Sequence, residues 1–399
     1  MVNIMDRFEK DVDGHIYTFC VGSLTRKMIE ATTKFGVIKL KYALKERGYD
    51  PDNIIVVYGP GSGITNTPRE RRAGFEDGAR LLTKDVIVPY IKPACGYYVG
   101  KVPYEKMSKK EIDEIEKTYE KIKSSFQVDG YEVSAWTDKL NPNSNHFLEL
   151  WRLSNFSDNH LEEGLYLGIH TEFDHNHEMW KEAKEELAEK VRTPLGEIEI
   201  IEGNDKDRFL REMEKIEELS KKKRRVLASL LVEDIEEVFN ENHKKYFRNG
   251  NWYGSDASNY FSVDSKGRPQ YVPICFDEEE PVYLVKGKRN VNRNIWPEDY
   301  KKRVYEKGFD RLIEQINILP HGGGETKDDY LFDNLRIDLS SQEIILEGNG
   351  EIKRIKDPSK ELGRRFRKPE EVIPQIETFG LGKIVGKFDH VYTFTKKLY

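Results

Sequence analysis

The chain has 399 residues, of which 37% are hydrophobic and 34% charged, and its net charge is −6. This composition excludes a disordered chain, and the acidic balance leaves no clear electrostatic footprint for nucleic acid. The basic runs 221–225 and 363–368 are short and typical of solvated helix ends or loops. Three cysteines, Cys20, Cys95 and Cys275, are too few and too widely spaced for a disulfide framework, which indicates a reducing compartment.

The start of the chain has no charged-then-apolar leader. The longest apolar run near the middle, 226–232, is too short to cross a bilayer, so we expect no transmembrane segment. Together these features predict a soluble, cytoplasmic protein. Its length allows one large domain or two. Because no internal repeat or low-complexity linker divides the chain, we favour one elaborated domain.

The N-terminal part alternates between strand and helix patterns. In chain order, the predicted elements are a strand over 15–21, a helix over 26–47 that ends at Gly48, a strand over 53–58, a helix over 69–84 and an extended segment over 86–90. Strand, helix and strand make a βαβ unit, which predicts parallel pairing and functional groups at the carboxyl ends of the strands.

Beyond residue 100 the sequence continues to alternate between helix and strand patterns. Further helices are predicted over 106–124, 178–191, 205–240 (two segments) and 297–314, and further strands over 127–136, 164–169, 195–201, 315–320, 335–346 (a hairpin) and 391–394. We therefore expect an α/β fold with a mostly parallel sheet flanked by helices, α/β-hydrolase-like or Rossmann-like. Residues 1–340 would form this domain, 245–295 a loop-rich insertion or lid, and 341–399 a strand-rich extension.

Two glycine-rich segments each follow a predicted strand. Backbone N–H groups of such a loop can surround an anion, particularly beside a helix N-terminus. The first segment, 59–63, lacks the Lys-Ser/Thr of a P-loop and the spacing of a dinucleotide fingerprint, so a plain strand-to-helix turn is its alternative. In the second, 321–324, the glycines could surround an oxyanion beside a catalytic His321, and the alternative is a histidine that caps or packs. The predicted ligand contacts are Gly59, Gly61, Ser62, Gly63, Gly322, Gly323 and Gly324.

The segment 164–177 is an apolar run that ends in an acidic and histidine-rich sequence. Imidazoles and carboxylates at close spacing suit a divalent metal such as zinc, iron or manganese. The predicted metal ligands are His170, Asp174, His175 and His177, with Glu172 as a candidate base. Their spacing matches no zinc motif, and the alternative is a solvent-facing helix start with Asp174 or Asn176 as the N-cap.

A second interpretation makes Asp174 the acid of a Ser–Asp–His triad. Asp174 and His321 each follow a predicted strand, in the chain order of α/β-hydrolases. The nucleophile would be Ser134, although the chain contains no Gly-x-Ser-x-Gly elbow. A serine in a strand or turn is the competing interpretation of Ser134.

Four segments resemble landmarks of the α/β-hydrolase family that includes type VI secretion phospholipase effectors, in that family's order. They are 19–23, 58–63, 227–233 and 321–324. The chain lacks the family's first-strand Asp and its Gly-x-Ser-Arg-Gly elbow. The resemblance therefore implies the fold over 15–320 more than the activity.

A shorter resemblance is to nucleotide-binding proteins of the cytokinin-activating phosphoribohydrolase type. Their Tyr-Gly-Gly-Gly and Pro-Gly-Gly-x-Gly-Thr loops are similar to 58–61 and 320–326. The two loops lie much further apart here, so this resemblance implies a large insertion between them. It would assign both glycine segments to phosphate binding.

These patterns favour a hydrolase acting on an ester or phosphoester, with its site around Asp174, His321 and the two glycine segments. Its mechanism would be acyl transfer through Ser134 or attack by metal-activated water. The expected partner is a small-molecule, lipid or nucleotide ligand. The alternative is a non-catalytic nucleotide- or phosphate-binding protein, or a structural or interaction protein, of the same α/β class.

Overall fold

A computed structural model describes most of the chain. The described residues are 16–19, 23–64, 72–136, 146–277, 280–291, 293–295, 298–327, 334–357, 361–362 and 364–394. Cys20 and the rest of residues 20–22 of the first resemblance lie outside them.

The strands of the described residues are numbered in chain order. They are β1 (Ile16–Thr18), β2 (Ile54–Gly63), β3 (Asp77–Thr83), β4 (Val86–Ile87), β5 (Gly96–Lys101), β6 (Phe126–Val128), β7 (Tyr131–Val133), β8 (Ala135–Trp136), β9 (Phe147–Phe156), β10 (Gly164–Phe173), β11 (Glu189–Thr193), β12 (Gly196–Glu202), β13 (Glu236–Asn242), β14 (Lys244–Asn249), β15 (Trp252–Ala257), β16 (Asn259–Phe261), β17 (Tyr271–Ile274), β18 (Val282–Gly287), β19 (Ile318–Pro320), β20 (Glu325–Lys327), β21 (Asn334–Asp338), β22 (Glu343–Gly348), β23 (Glu351–Ile355), β24 (Arg364–Phe366) and β25 (Gly382–Thr393).

The helices are numbered in the same way. They are α1 (Ser23–Glu46), α2 (Lys109–Ile122), α3 (Asp174–Leu187), α4 (Asp205–Leu231), α5 (Glu298–Glu306), α6 (Asp310–Glu314) and α7 (Pro369–Thr378), with a 3₁₀ turn at Arg293–Ile295. In the described part of the chain, no helix is both long and apolar enough to cross a membrane.

Two large sheets carry the fold. The first has the order β1-β2-β3-β15-β14; β1 and β2 pair in parallel, and the other pairs are antiparallel. The second is antiparallel, in the order β13-β5-β10-β9-β25-β18-β17, and nearly closes into a barrel; β8 adds to the end of β10. Smaller sheets are β11-β12-β4, β21-β22-β23, β16-β19, β20-β24 and β6-β7.

The prediction of a mostly parallel sheet flanked by helices is wrong, and the resemblance to the α/β-hydrolases is wrong with it. The N-terminal βαβ unit is confirmed: β1 and β2 pair in parallel, and α1 connects them. The predicted helix over 69–84 does not follow, because 77–83 forms β3, antiparallel to β2. Gly74 and Gly78 in this stretch have φ of +85° and +84°, which a helix cannot accommodate. Hairpin connections then replace helical crossovers in much of the chain.

Several other predicted elements are confirmed with changed bounds. Helix α1 ends just before Gly48, whose φ is +78°. The segment 205–240 is one helix, α4, followed by β13, and 297–314 holds two short helices, α5 and α6. The segment 245–295 contains most of β14 and all of β15 to β18. Of these, β14 and β15 belong to the first large sheet, β17 and β18 belong to the second, and β16 pairs with β19.

The core consists of three apolar clusters. One lies between the first sheet, α1 and the β11-β12 hairpin. The second fills the inner face of the barrel-like sheet, and the third lies between the outer face of that sheet and helices α2 and α4. The inner face of the second sheet therefore packs against the first sheet and helices α5 to α7, while its outer face is covered by α2 and α4. Polar side chains of the second sheet can therefore meet only when they point to the same face.

Candidate metal site

A cluster of thiol, imidazole and carboxylate groups lies at one end of the second sheet. Cys95 directly precedes β5, His146 precedes β9, His170 and Glu172 lie near the end of β10, and His243 joins β13 to β14. The strands β13, β5, β10 and β9 are adjacent and antiparallel. The starts of two of them and the ends of the other two therefore meet at the same edge.

The sheet register directs this cluster to the inner face. His170 pairs with Tyr97 on one side and Phe147 on the other, and both rings belong to the inner apolar cluster. The ring of Tyr97 meets that of His170 edge-on, with centroids 4.1 Å apart. Glu172 is two residues further along β10 and so faces the same side.

Three ligand atoms of the cluster form a nearly equilateral triangle. Cys95 Sγ lies 3.1 Å from His170 Nε2 and 3.2 Å from His243 Nε2, and the two nitrogens are 3.1 Å apart. A third nitrogen, His146 Nε2, lies 3.2 Å from the same sulfur. Four groups that can bind a metal thus converge on one point of the sheet.

Hydrogen bonding does not account well for this triangle. Each of its atoms carries at most one proton, and an imidazole nitrogen that donates cannot also accept. At most two of the three contacts can therefore be well-aligned hydrogen bonds. Ligands at about 2.0–2.3 Å from a tetrahedral zinc ion lie about 3.4–3.6 Å from each other. A metal ion between Cys95, His170 and His243 requires only a small outward movement of the three side chains.

The three groups are nearly inaccessible to solvent. Cys95, His170 and His243 are exposed by 4%, 2% and 3%. Burial, followed by the charge of Glu172, raises the pKa of Cys95 to about 12. Burial, followed by the neighbouring His321 and His170, holds the pKa of His243 well below its ordinary value. His243 is therefore neutral, as metal binding requires, whereas an ion bound at Cys95 must displace the thiol proton.

Glu172 occupies the more open edge of the cluster. Its side chain is 12% exposed, and one carboxylate oxygen, Oε1, accepts a hydrogen bond from Lys92 Nζ at 2.7 Å. Burial opposes ionisation of Glu172, but Lys92 and His146 outweigh it, so its pKa lies below the ordinary value. Cys95, His146 and Glu172 form a second group of potential ligands, with ligand atoms within 4.8 Å of one another.

Side chains on the opposite face of the sheet support the cluster. Arg224 of α4 is fully buried and donates from Nη2 to Asn242 Oδ1 at 2.7 Å. Asn242 in turn donates from Nδ2 to the carbonyl of Pro93 at 2.9 Å. Asn242 precedes His243, and Pro93 lies two residues before Cys95. The contact fixes the backbone beside two of the three triangle residues.

One of the four predicted metal ligands, His170, lies in the cluster. Strand β10 continues to Phe173, and Asp174, His175 and His177 follow in the first turn of α3. His175 Nδ1 is 3.8 Å from Glu178 there, and the ring of His177 packs beside Trp180. The N-cap of α3 is Phe173, not Asp174 or Asn176.

The structure brings together two residues of the predicted triad, Ser134 and Asp174, and bonds the third, His321, to the backbone of Ser258. Ser134 donates directly to the carboxylate of Asp174 at 3.2 Å, where a triad would place the histidine between them. His321 Nδ1 lies 2.8 Å from the carbonyl oxygen of Ser258 and donates to it. Its ring is stacked on His243, with centroids 4.6 Å apart and planes 9° apart. His321 therefore lies beside the triangle of Cys95, His170 and His243.

The two glycine segments pack against each other. Gly59 to Gly63 continue β2, and a Cβ added to Gly61 would overlap the carbonyl oxygen of Gly322. A Cβ added to Gly324, which has φ of +67°, would overlap the carbonyl oxygen of Gly61. Backbone meets backbone at this point, and Ser62, Gly322 and Gly323 are also buried. Ligand binding by these segments remains a prediction.

Three residues of the cluster were not predicted from the sequence, Cys95, His146 and His243. Each directly flanks a strand of the structure, whereas His170 lies within β10, near its end. That position was the only local signal for them. Comparison with known proteins adds no candidates, since no protein-family model matches the chain and no characterised protein is significantly similar to it in sequence.

Proposed function

We propose that the protein is a metal-dependent hydrolase whose ion is held by Cys95, His170 and His243. The observation that supports this most directly is the triangle of ligand atoms 3.1–3.2 Å apart on the inner face of the second sheet. A thiolate and two imidazoles suit zinc, iron or copper better than magnesium or calcium, which prefer oxygen. Three protein ligands leave the fourth position of a tetrahedral ion for water, as in catalytic zinc sites.

The substrate of the proposed hydrolase is an ester or a phosphoester. A bound ion of this type lowers the pKa of its water and polarises a carbonyl or phosphoryl oxygen. The Lys92 ammonium, 17% exposed beside Glu172, adds positive charge at the open edge. It can stabilise negative charge that develops on the substrate oxygen. The buried rings of His170 and His243 exclude bulk water from the inner side of the site.

The open edge favours catalysis over a purely structural ion. A structural zinc site is closed by four protein ligands. The third imidazole, His146, has its Nε2 3.2 Å from Cys95 Sγ, and it lies with Glu172 at the open edge of the cluster. It is also less buried than they are.

Electron transfer through copper is a second candidate. One cysteine and two histidines form the trigonal set that copper electron-transfer sites use, with a weak axial ligand. Copper(II) at Cys95 would produce an intense visible absorption from thiolate-to-metal charge transfer. A protein that gains this band reversibly with copper, and hydrolyses nothing with any metal, would support the second candidate.

The test begins with metal analysis of the full chain, purified without chelators. The matched variants are Cys95→Ser and His170→Ala in the triangle, with His175→Ala and His177→Ala in α3 as controls. Each protein is then assayed on nitrophenyl esters and nitrophenyl phosphodiesters, before and after chelation and after addition of zinc, iron or manganese.

We expect bound metal in the native chain and in both α3 variants, and loss of metal in both triangle variants. Hydrolysis should disappear with chelation and return with the added ion. Metal retained in Cys95→Ser, or a native chain that binds no ion after reconstitution, would contradict the metal centre. A bound ion without hydrolysis of any tested substrate would contradict the proposed activity alone.

A further inference from the structure

The thiol of Cys95 belongs to two sets of potential ligands. The first is the buried triangle with His170 and His243, and the second consists of Cys95, His146 and Glu172. The sulfur is 3.1–3.2 Å from the nitrogens of the first set and 3.2 Å from His146 Nε2 of the second. One sulfur therefore lies between two incomplete coordination shells.

We propose that the site binds two metal ions bridged by Cys95 Sγ, with the second ion held by His146 and Glu172. This inference rests on the proposed metal centre and adds a second position to it. A thiolate sulfur has enough lone pairs to bind two cations at once. The proposal accounts for the third contact of Cys95 Sγ, with His146 Nε2, which a single ion in the triangle does not use.

The hydrogen bonding of the Glu172 carboxylate is compatible with metal coordination. Its Oε1 accepts from Lys92 Nζ, and this leaves Oε2 for coordination. Carboxylates that bind metals are commonly fixed by such a hydrogen bond through the second oxygen. Lys92 therefore orients the carboxylate, and its charge offsets that of Glu172 until an ion enters.

The two positions differ in access to solvent. The triangle residues are exposed by 4% or less, whereas Glu172 is 12% exposed and His146 is half-buried. The second ion is therefore the one that exchanges more easily and meets the substrate first. Paired ions at about 3.5–4 Å stabilise both the attacking and the leaving oxygen of a phosphoryl group. The substrate class of this site is accordingly a phosphoester.

The test is a titration of the metal-free full chain with cobalt(II). Visible absorption and electron paramagnetic resonance are recorded at each addition. We expect saturation at two ions per chain. The resonance signal should grow during the first equivalent and decrease during the second, because a sulfur bridge couples the spins of the two ions.

Matched variants assign each equivalent to its residues. His146→Ala and Glu172→Gln should bind one ion with an uncoupled signal, and His175→Ala should bind two. Phosphodiester hydrolysis in His146→Ala should decrease at least about tenfold more than hydrolysis of a neutral ester. Saturation of the native chain at one ion, or two coupled ions in His146→Ala, would overturn the second position. Binding of no ion would overturn the proposed function as well, so the two failures are distinguishable.

Discussion

Gly61 and Gly322 are in contact backbone to backbone, so that a Cβ on Gly61 would overlap the carbonyl oxygen of Gly322. Gly61 lies in β2 of the first sheet, and Gly322 follows β19 directly after His321. His321 is in turn stacked on His243 of the Cys95–His170–His243 triangle. The glycine contact therefore positions one wall of the candidate site.

Gly61→Ala should destabilise the fold by about 3 kcal/mol, because overpacking a buried backbone contact forces both segments apart. Gly203→Ala is the control for a glycine without a close contact: its φ of +61° strains alanine, but its added Cβ would meet no atom within 4 Å. That variant should lose only about 1 kcal/mol. The measurement is the free energy of unfolding in denaturant, and equal losses in the two variants would contradict the packing argument.

A buried ion pair should respond strongly to loss of one partner. Arg80 Nε donates to Asp256 Oδ2 at 2.8 Å, and both side chains are fully buried. Asp256→Asn should cost about 3–5 kcal/mol, because it leaves the Arg80 charge uncompensated inside the protein. Arg354→Gln, in an ion pair whose arginine is 54% exposed, should cost under about 1 kcal/mol. Thermal and denaturant unfolding measure the loss of stability in each variant. Similar losses in Asp256→Asn and Arg354→Gln would contradict the role of burial.

Lys223 should make stability depend on pH in the alkaline range. Its side chain is buried, and burial lowers its pKa from 10.5 to about 8. Between about pH 8 and 10.5 the unfolded chain holds this proton more tightly, so the contribution of Lys223 to the free energy of unfolding rises with pH. Below about pH 8 both states are protonated, and the cost of burying the charge is complete. Lys223→Met should remove this rise, as measured by denaturant unfolding at several pH values.

The neighbouring Lys222 provides the control for this measurement. Its side chain is 49% exposed and pairs with Asp129 on the surface. Lys222→Met should leave the alkaline pH dependence of the native chain unchanged. If both variants show the same pH profile, the effect does not come from burial of Lys223.

Asn242→Ala should weaken metal binding without removing any ligand. Asn242 connects Arg224 to the Pro93 carbonyl, and so fixes the backbone next to His243 and Cys95. Loss of a residue that orients metal ligands typically costs about 10–100-fold in affinity. Competition with a chromophoric chelator measures this loss, and Asn204→Ala, an exposed site at the start of α4, is the control. Unchanged affinity in Asn242→Ala would show that the ligands are positioned without it.

Local sequence patterns predicted the elements near the N-terminus but not how the sheets are assembled. The apolar runs of β1 and β2 and the helical spacing of α1 were sufficient for the βαβ unit. A buried strand has the same apolar pattern in a parallel and in an antiparallel sheet, so the antiparallel pairing of β10 could not be derived. The two glycines within 69–84, Gly74 and Gly78, were the sequence signal against a helix there.

The candidate site was predicted only in part for a related reason. His170 stood out because it follows an apolar strand within a histidine-rich segment. Cys95, His146 and His243 are isolated in the sequence, and only the order and register of four strands bring them together. Conversely, His175 and His177 are near His170 in sequence, but the start of α3 directs them elsewhere.

The arrangement of the cluster across β13, β5, β10 and β9 makes it sensitive to errors in folding. A slip of one residue in β10 would turn His170 to the outer face, against α4, and leave the other ligands without it. The complete ligand set consequently exists only in the correctly paired sheet, after contacts between distant parts of the chain have formed. An ion bound there would select the native topology over slipped ones late in folding, and could not serve as the nucleus from which the sheet grows.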